Sequence, residues 1–155
     1  MAMEWIPSKE EHLEELASWF QDLESCRQWG GPNFRFPFSA ETFRADLRWG
    51  EMASWSLCED GRLAAFGQYY ERRGRCHLAR LAVAPADRGR GLGTLLVEEL
   101  SRRGLRELGL ESASLFVLKD NLTALRLYLK LGFAAQPCSE TLPGLPPESF
   151  LYLVR

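Results

Sequence analysis

Apolar residues along this chain of 155 residues fall into two rhythms. At residues 4–6, 54–58, 63–70, 76–83, 112–118, 133–136 and 150–154 they alternate or run on over strand-like lengths, the signature of half-buried or fully buried strands. Between these runs come repeats at helical spacing: Leu13, Leu16, Ala17 and Phe20; Phe43 and Leu47; Leu92, Leu96 and Leu100; Ala124, Leu127, Tyr128 and Leu131. Ser8 and Glu11 form a capping-box pattern before the first helix, and Ser39 is placed to cap the second, which Gly50 stops. Asp60-Gly61 predicts a tight hairpin, and residues 73–75 a further turn. Gly109 ends the third helix; Asp120 or Asn121 caps the fourth, and Gly132 ends it. Residues 25–38, dense in Gly, Pro and aromatic side chains, read as a loop, as do residues 143–147. The order β-α-α-β-β-β-α-β-α-β-β, without repeat or linker, predicts one α/β (α+β) domain over residues 3–155.

Composition narrows this without changing it. The chain is long enough to bury a core, and its 46% hydrophobic and 26% charged residues are ordinary for a globular domain. A net charge of −2 provides no global field for nucleic acid or anionic membrane, so neither is an expected partner. Arginine outnumbers lysine 16 to 3, a bias that reads as genome composition. Cys26, Cys58, Cys76 and Cys138 have no zinc spacing, and His12 and His77 are too few for a metal centre, so no metal is expected. The first residues lack a secretory pattern, and no apolar run approaches a membrane span. Free thiols in a reducing bacterial cytoplasm are the expectation.

Candidate chemistry concentrates where the run 78–83 feeds Ala84-Pro85-Ala86-Asp87-Arg88-Gly89-Arg90-Gly91-Leu92-Gly93-Thr94 and then a helix. A helix start leaves backbone N–H groups unpaired and carries partial positive charge. Glycines allow close approach, so the turn suits a phosphate or pyrophosphate. A dinucleotide-binding G-x-G-x-x-G fails on spacing: from Gly89 and Gly91 the third position is Thr94, and from Gly91 and Gly93 it is Leu96. A P-loop fails because no Lys-Ser or Lys-Thr pair follows Gly93.

The pattern R/Q-x-x-G-x-G/A is filled by Arg88, Gly91 and Gly93, and resembles the pyrophosphate loop of the GCN5-related N-acetyltransferases, the GNAT superfamily. Asn121, Ala124, Leu127, Tyr128, Lys130, Gly132 and Phe133 fill N-x-x-A-x-x-L-Y-x-K-x-G-F, which is similar to the second GNAT signature. These motifs cover residues 78–133; the element order extends the resemblance over nearly the whole chain. The resemblance implies a mixed, mostly antiparallel seven-stranded sheet with helices on both faces, its fourth and fifth strands splayed to admit acetyl-CoA. It further implies that the pantetheine arm pairs with main chain near Leu81, Ala82 and Val83, and that the pyrophosphate sits on N–H groups of Arg88, Gly89, Arg90, Gly91, Leu92, Gly93 and Thr94. Asn121 and Ala124 would stand beside the pantetheine arm. Lys130 and Arg126 either meet the adenosine 3′-phosphate or form a solvated helix face.

By the same resemblance Tyr128 is the general acid that protonates the departing thiolate. A phenol near ~10 can do so for a thiol near ~8.5 with a small uphill step. A general base is less defined. In the subgroup acting on ribosomal-protein alanine termini, a Glu lies five residues before the Asn; here that position is Phe116, a departure that argues against their substrate class. In the histone-lysine subgroup the Glu lies eleven residues before the Arg/Gln; here that position is His77, chemically competent as a base. A core histidine, Glu71 or an ordered-water relay are the alternatives. At pH 7, freeing a lysine-like amine of its proton costs about 4.6 kcal/mol and an α-amine about 1.4 kcal/mol, so amines of lower pKa are the easier acceptors.

The function expected is acetyl transfer from acetyl-CoA to a primary amine of a small molecule or peptide; the alternative is a catalytically silent acyl-CoA sensor. Trp29, Phe34, Tyr69 and Tyr70 are candidates to cover the acceptor by stacking or cation–π contact, or else they pack the fold. A monomer, or a homodimer through the closing strands, is expected.

Overall fold

The structure, a computed structural model, describes residues 2–155. In chain order the elements are β1 (Met3–Pro7), α1 (Glu10–Ala17), α2 (Leu23–Gly30), α3 (Ala40–Leu47), β2 (Ala53–Glu59), β3 (Arg62–Arg72), β4 (Arg75–Val83), α4 (Leu92–Leu108), β5 (Ala113–Leu118), α5 (Leu122–Lys130), β6 (Ala134–Gln136) and β7 (Phe150–Val154). The strands form one sheet in the order β1-β2-β3-β4-β5-β7-β6, antiparallel throughout except for the parallel pair β4–β5. The expected mixed, mostly antiparallel seven-stranded sheet is present.

Two buried clusters show why helices lie on both faces. Under α4 and α5, Leu57, Tyr69, Leu78, Leu96, Leu100, Leu115 and Leu153 form one core. On the opposite face, α1–α3 close a second core of Leu13, Leu16, Phe34, Phe43, Leu47, Leu63 and Phe66. Alternation along the strands supplies both: Leu63 and Leu57, for instance, point to opposite faces. Backbone chemistry sets the turns. Asp60 (φ 51°) and Gly61 (φ 82°) are both left-handed, the conformation that a two-residue hairpin between twisted strands requires. Gly104 allows α4 to approach the sheet, since a Cβ there would strike the Cys76 thiol and meet the Tyr69 ring at 3.1 Å.

Three expectations are corrected. Residues 23–30 form a helix, with Asp22 accepting from the Ser25 N–H at 2.7 Å as its cap; the Gly30-Gly31-Pro32 cluster marks only its end. The first helix starts one residue later than the Ser8–Glu11 pattern implies. Lys9 is its N-cap, His12 Nδ1 accepts from the Lys9 N–H at 3.0 Å, and Ser8 instead pairs with Ser56. Of the two readings open for Trp29, Phe34 and Tyr69, the packing one describes their surroundings. Trp29 stacks on Phe20 at 4.1 Å, Phe34 is buried among aromatic rings, and the buried Tyr69 donates to Glu107 on the α4 side. Finally, β7 lies inside the sheet, between β5 and β6, so of the two closing strands only the short β6 presents an edge. All four cysteines are free thiols. No helix among the described residues is long and apolar enough to cross a membrane.

Candidate active site

The sheet opens where β4 leaves β5. Their pairing is confined to Cys76↔Ala113 and His77↔Ser114, so β4 from Leu78 to Val83 runs on without a strand partner on its β5 side. A bulge marks the departure. Ala79 opposes Gln68 and Ala82 opposes Phe66, which leaves Arg80 and Leu81 together opposite Gly67. Arg80 takes the left-handed conformation (φ 51°) that lets the strand bend there. Leu81, Ala82 and Val83 thus form the free rim of the gap, the place an extended chain of amides could join the sheet.

The glycine turn stands at the end of that rim. Gly91 is the N-cap of α4 at φ 78°, with no side-chain cap, and Gly89 has φ 80°. No backbone N–H from Arg88 to Thr94 donates a well-formed hydrogen bond to a protein acceptor among the described residues. Arg88 to Gly91 are exposed and Leu92 to Thr94 buried or half-buried, so these amides face solvent or a ligand rather than the protein core. A continuous run of them at a helix start fits a multiply charged anion. Nothing lies within 4 Å of a Cβ built on Gly89 or Gly91, so their role is the backbone conformation and open approach rather than packing. Gly93 differs: a Cβ there would meet Leu127 of α5 at 3.1 Å. Among the described residues, no group of three or more His, Cys, Asp or Glu side chains is placed to hold a metal ion.

The two arginines of the turn part company. Arg90 spans Glu59 (2.9 and 3.0 Å) and Asp87 (2.8 Å), and Arg62 reaches the same Asp87 at 2.6 Å. Glu59 and Asp87 are only 5% and 4% exposed. The Arg90 guanidinium holds the Glu59 carboxyl below its usual range, and the Arg62 guanidinium does the same for Asp87. Arg90 therefore ties the turn to the β2–β3 hairpin, and its side-chain charge is committed to that tie. Arg88 makes no ion pair among the described residues.

On the α5 side, Asn121 is the N-cap, its side chain accepting from Ala124 N–H at 3.4 Å. Tyr128 packs against the cluster that includes Leu78 of β4 and Val117 of β5, with the Phe133 ring 6.1 Å away. Burial pushes its phenol up to about 12, so it is protonated throughout the physiological range. Lys130 and Arg126 are exposed on α5, flanking the Leu127 that touches Gly93.

His77 lies on the opposite face and is 3% exposed. Its Nδ1 is 2.9 Å from Ser114 Oγ, and the rings of Phe116 and Tyr70 close over it at 4.7 and 5.4 Å. Burial, aided by the Arg72 charge, pushes its pKa down to about 3. A neutral imidazole so enclosed has little proton affinity, and this geometry speaks for a core histidine. Phe116 fills the neighbouring position, packed on Phe150, Tyr152 and the Arg72 guanidinium. Glu71 is exposed on β3.

A split parallel strand pair, a glycine-rich helix start and a half-buried tyrosine on α5 thus lie around one core cluster of the sheet. Residues 23–133 match the model of the acetyltransferase (GNAT) family, and the chain belongs to that family. It is 42% identical over 67 residues to the mycothiol acetyltransferase of Mycobacteroides abscessus, a match spanning 43% of this chain and 22% of that protein. It is 35% identical over 103 residues to the [ribosomal protein bS18]-alanine N-acetyltransferase of Escherichia coli, 63% of this chain and 65% of that one. The chain thus covers less than two thirds of either relative's length. In fold it is similar to the aminoglycoside acetyltransferase AAC(6′)-Ib solved with ribostamycin and coenzyme A, with a TM-score of 0.74, 22% identity, and 100% and 93% of the two chains covered.

Proposed function

We propose that this protein transfers an acetyl group from acetyl-CoA to the primary amine of a small molecule or peptide by direct attack. The observation that carries the reading is the series of N–H groups from Arg88 to Thr94 that make no well-formed hydrogen bond to the protein among the described residues, set beside the free rim of β4. Bound acetyl-CoA supplies an activated thioester. The chain's own contribution is then positional and acid–base. The amides from Arg88 to Thr94 bind the diphosphate, with Arg88 adding charge. The rim at Leu81, Ala82 and Val83 pairs with pantetheine amides, and Asn121 and Ala124 border them. Lys130 or Arg126 takes the 3′-phosphate. Arg90 holds the turn in shape through Glu59 and Asp87.

Tyr128 donates its proton to the sulfur as the C–N bond forms and the C–S bond breaks; the nitrogen sheds one proton to solvent as it becomes the amide, and the phenolate takes one back from solvent. Its phenol, at about 12, lies about 3.5 above an exposed thiol. The same dry surroundings raise the thiol as well, which narrows the gap. His77 is not assigned the base in this reading; the acceptor arrives as the free amine, which favours amines of lower pKa. The named enzyme relatives weigh against a silent sensor. The test is thiol release from acetyl-CoA across a panel of amines. Turnover on at least one amine, lost at least tenfold in Tyr128→Phe, is expected; saturable CoA binding with no turnover on any amine would overturn it.

A further inference from the structure

The Arg80 side chain stands out on the face opposite Tyr128. It leaves the β4 bulge on the α1–α3 face, where Nη1 donates to the neutral Gln68 Oε1 at 2.9 Å and approaches Met52 Sδ at 3.7 Å. Gln68 is itself fixed by donation to the Leu47 carbonyl (2.9 Å) and Ser54 (3.0 Å). No carboxylate pairs with Arg80 among the described residues. Asp46, the carboxylate whose charge is felt at Arg80, is held by Arg35 through contacts of 2.8, 2.9 and 3.0 Å. Arg48 adds a second positive charge nearby.

A guanidinium largely withdrawn from water without a counter-charge is costly. Two observations indicate the chemistry this side chain suits. Arg80 Nε is buried and makes no hydrogen bond to a protein acceptor among the described residues, so a guanidinium N–H remains free to donate. The position is also telling: Arg80 sits at the point where β4 parts from β5, on the face away from α4, α5 and Tyr128. If the thioester enters the gap from the α4–α5 side, an acceptor reaching it from the other side passes Arg80.

We infer that Arg80 is a specificity residue that receives a carboxylate of the acceptor, so that the preferred substrates are amines that also carry a carboxylate, amino acids being the simplest. A planar carboxylate is the partner a guanidinium fork fits best. The inference rests on the acetyltransferase reading for its kinetics, but binding tests it separately.

The experiment titrates the CoA-loaded protein calorimetrically with N-acetyl-L-amino acids and with their C-terminal amides, and in parallel compares free L-amino acids with L-amino acid amides as acceptors. Wild type should favour the acids at least tenfold, in Kd and in kcat/KM. Arg80→Met should bring that preference to near unity, Arg80→Lys should restore part of it, and CoA affinity should be unchanged in both. Arg80→Met also removes the donor to the buried Gln68 Oε1 and should lower the Tm, so the acid-over-amide ratio, which a purely structural Arg80 would leave unmoved, carries the test. Equal binding of acids and amides by wild type, or a preference that survives in Arg80→Met, would overturn the inference even if turnover is absent. Preference in binding with no turnover on any amine would uphold it and count against the acetyltransfer reading alone.

Discussion

His77 offers a sharp test, because its burial gives it a thermodynamic signature that a catalytic base would lack. The folded pKa of about 3 lies below the unfolded value of about 6.5. Between the two, the unfolded chain binds the extra proton. The stability conferred by the neutral, buried imidazole is therefore complete above about pH 6.5 and drains away as the pH falls toward 3. From pH 7.5 to 5.0 the linkage amounts to about 2 kcal/mol. His77→Gln keeps a partner for Ser114 and removes the titration. Urea unfolding of both proteins at the two pH values should show wild type losing about 2 kcal/mol more than the variant. His12, also held below its ordinary pKa by burial, contributes equally to both and cancels. In the transfer assay His77→Gln should keep kcat within roughly threefold, against the 10²–10⁴-fold a general base contributes. A histidine titrating near 6.5, or a hundredfold loss of kcat with CoA affinity intact, would refute the argument.

Other consequences follow from the same geometry. Tyr128→Phe should lower kcat at least tenfold and leave the Kd for CoA within about twofold, read by single-turnover kinetics and calorimetry. Arg88→Met should weaken CoA binding and flatten its salt dependence without changing the Tm, whereas Arg90→Met should lower both Tm and affinity, since it unties the turn from Glu59 and Asp87. Those two carboxyls are held below their ordinary range, so their contribution is present above about pH 4.5 and is lost as pH falls below it. CoA affinity should fall over the same acidic window. Gly104→Ala should destabilise the fold, because the added methyl meets Cys76 and Tyr69 with no space to relax into.

What the sequence made legible was local. The glycine turn, the strand before it and the helix at residues 122–130 announce themselves through residues adjacent in the chain, and both hairpins follow from single Asp-Gly and Arg-Gly pairs. The α2 helix was hidden because its end is crowded with Gly and Pro, while its cap, Asp22, lies three residues before Ser25 in a stretch with little apolar periodicity. Arg80 was missed for a different reason: it stands in a strand whose period-2 pattern gives no hint of a bulge, and only pairing with β3 reveals one. The burden on Arg90 was equally invisible, since Glu59 lies 31 residues away. Long-range pairing decides whether a charge is spent on the fold or remains for a ligand.

The cradle at the start of α4 is tested most directly by calorimetric titration with acetyl-CoA and, in parallel, with S-acetylpantetheine, which lacks the diphosphate and the adenosine. The account predicts one saturable site for acetyl-CoA and binding at least a hundredfold weaker for the truncated thioester. No saturable binding of acetyl-CoA, or equal affinity for the two compounds, would contradict it.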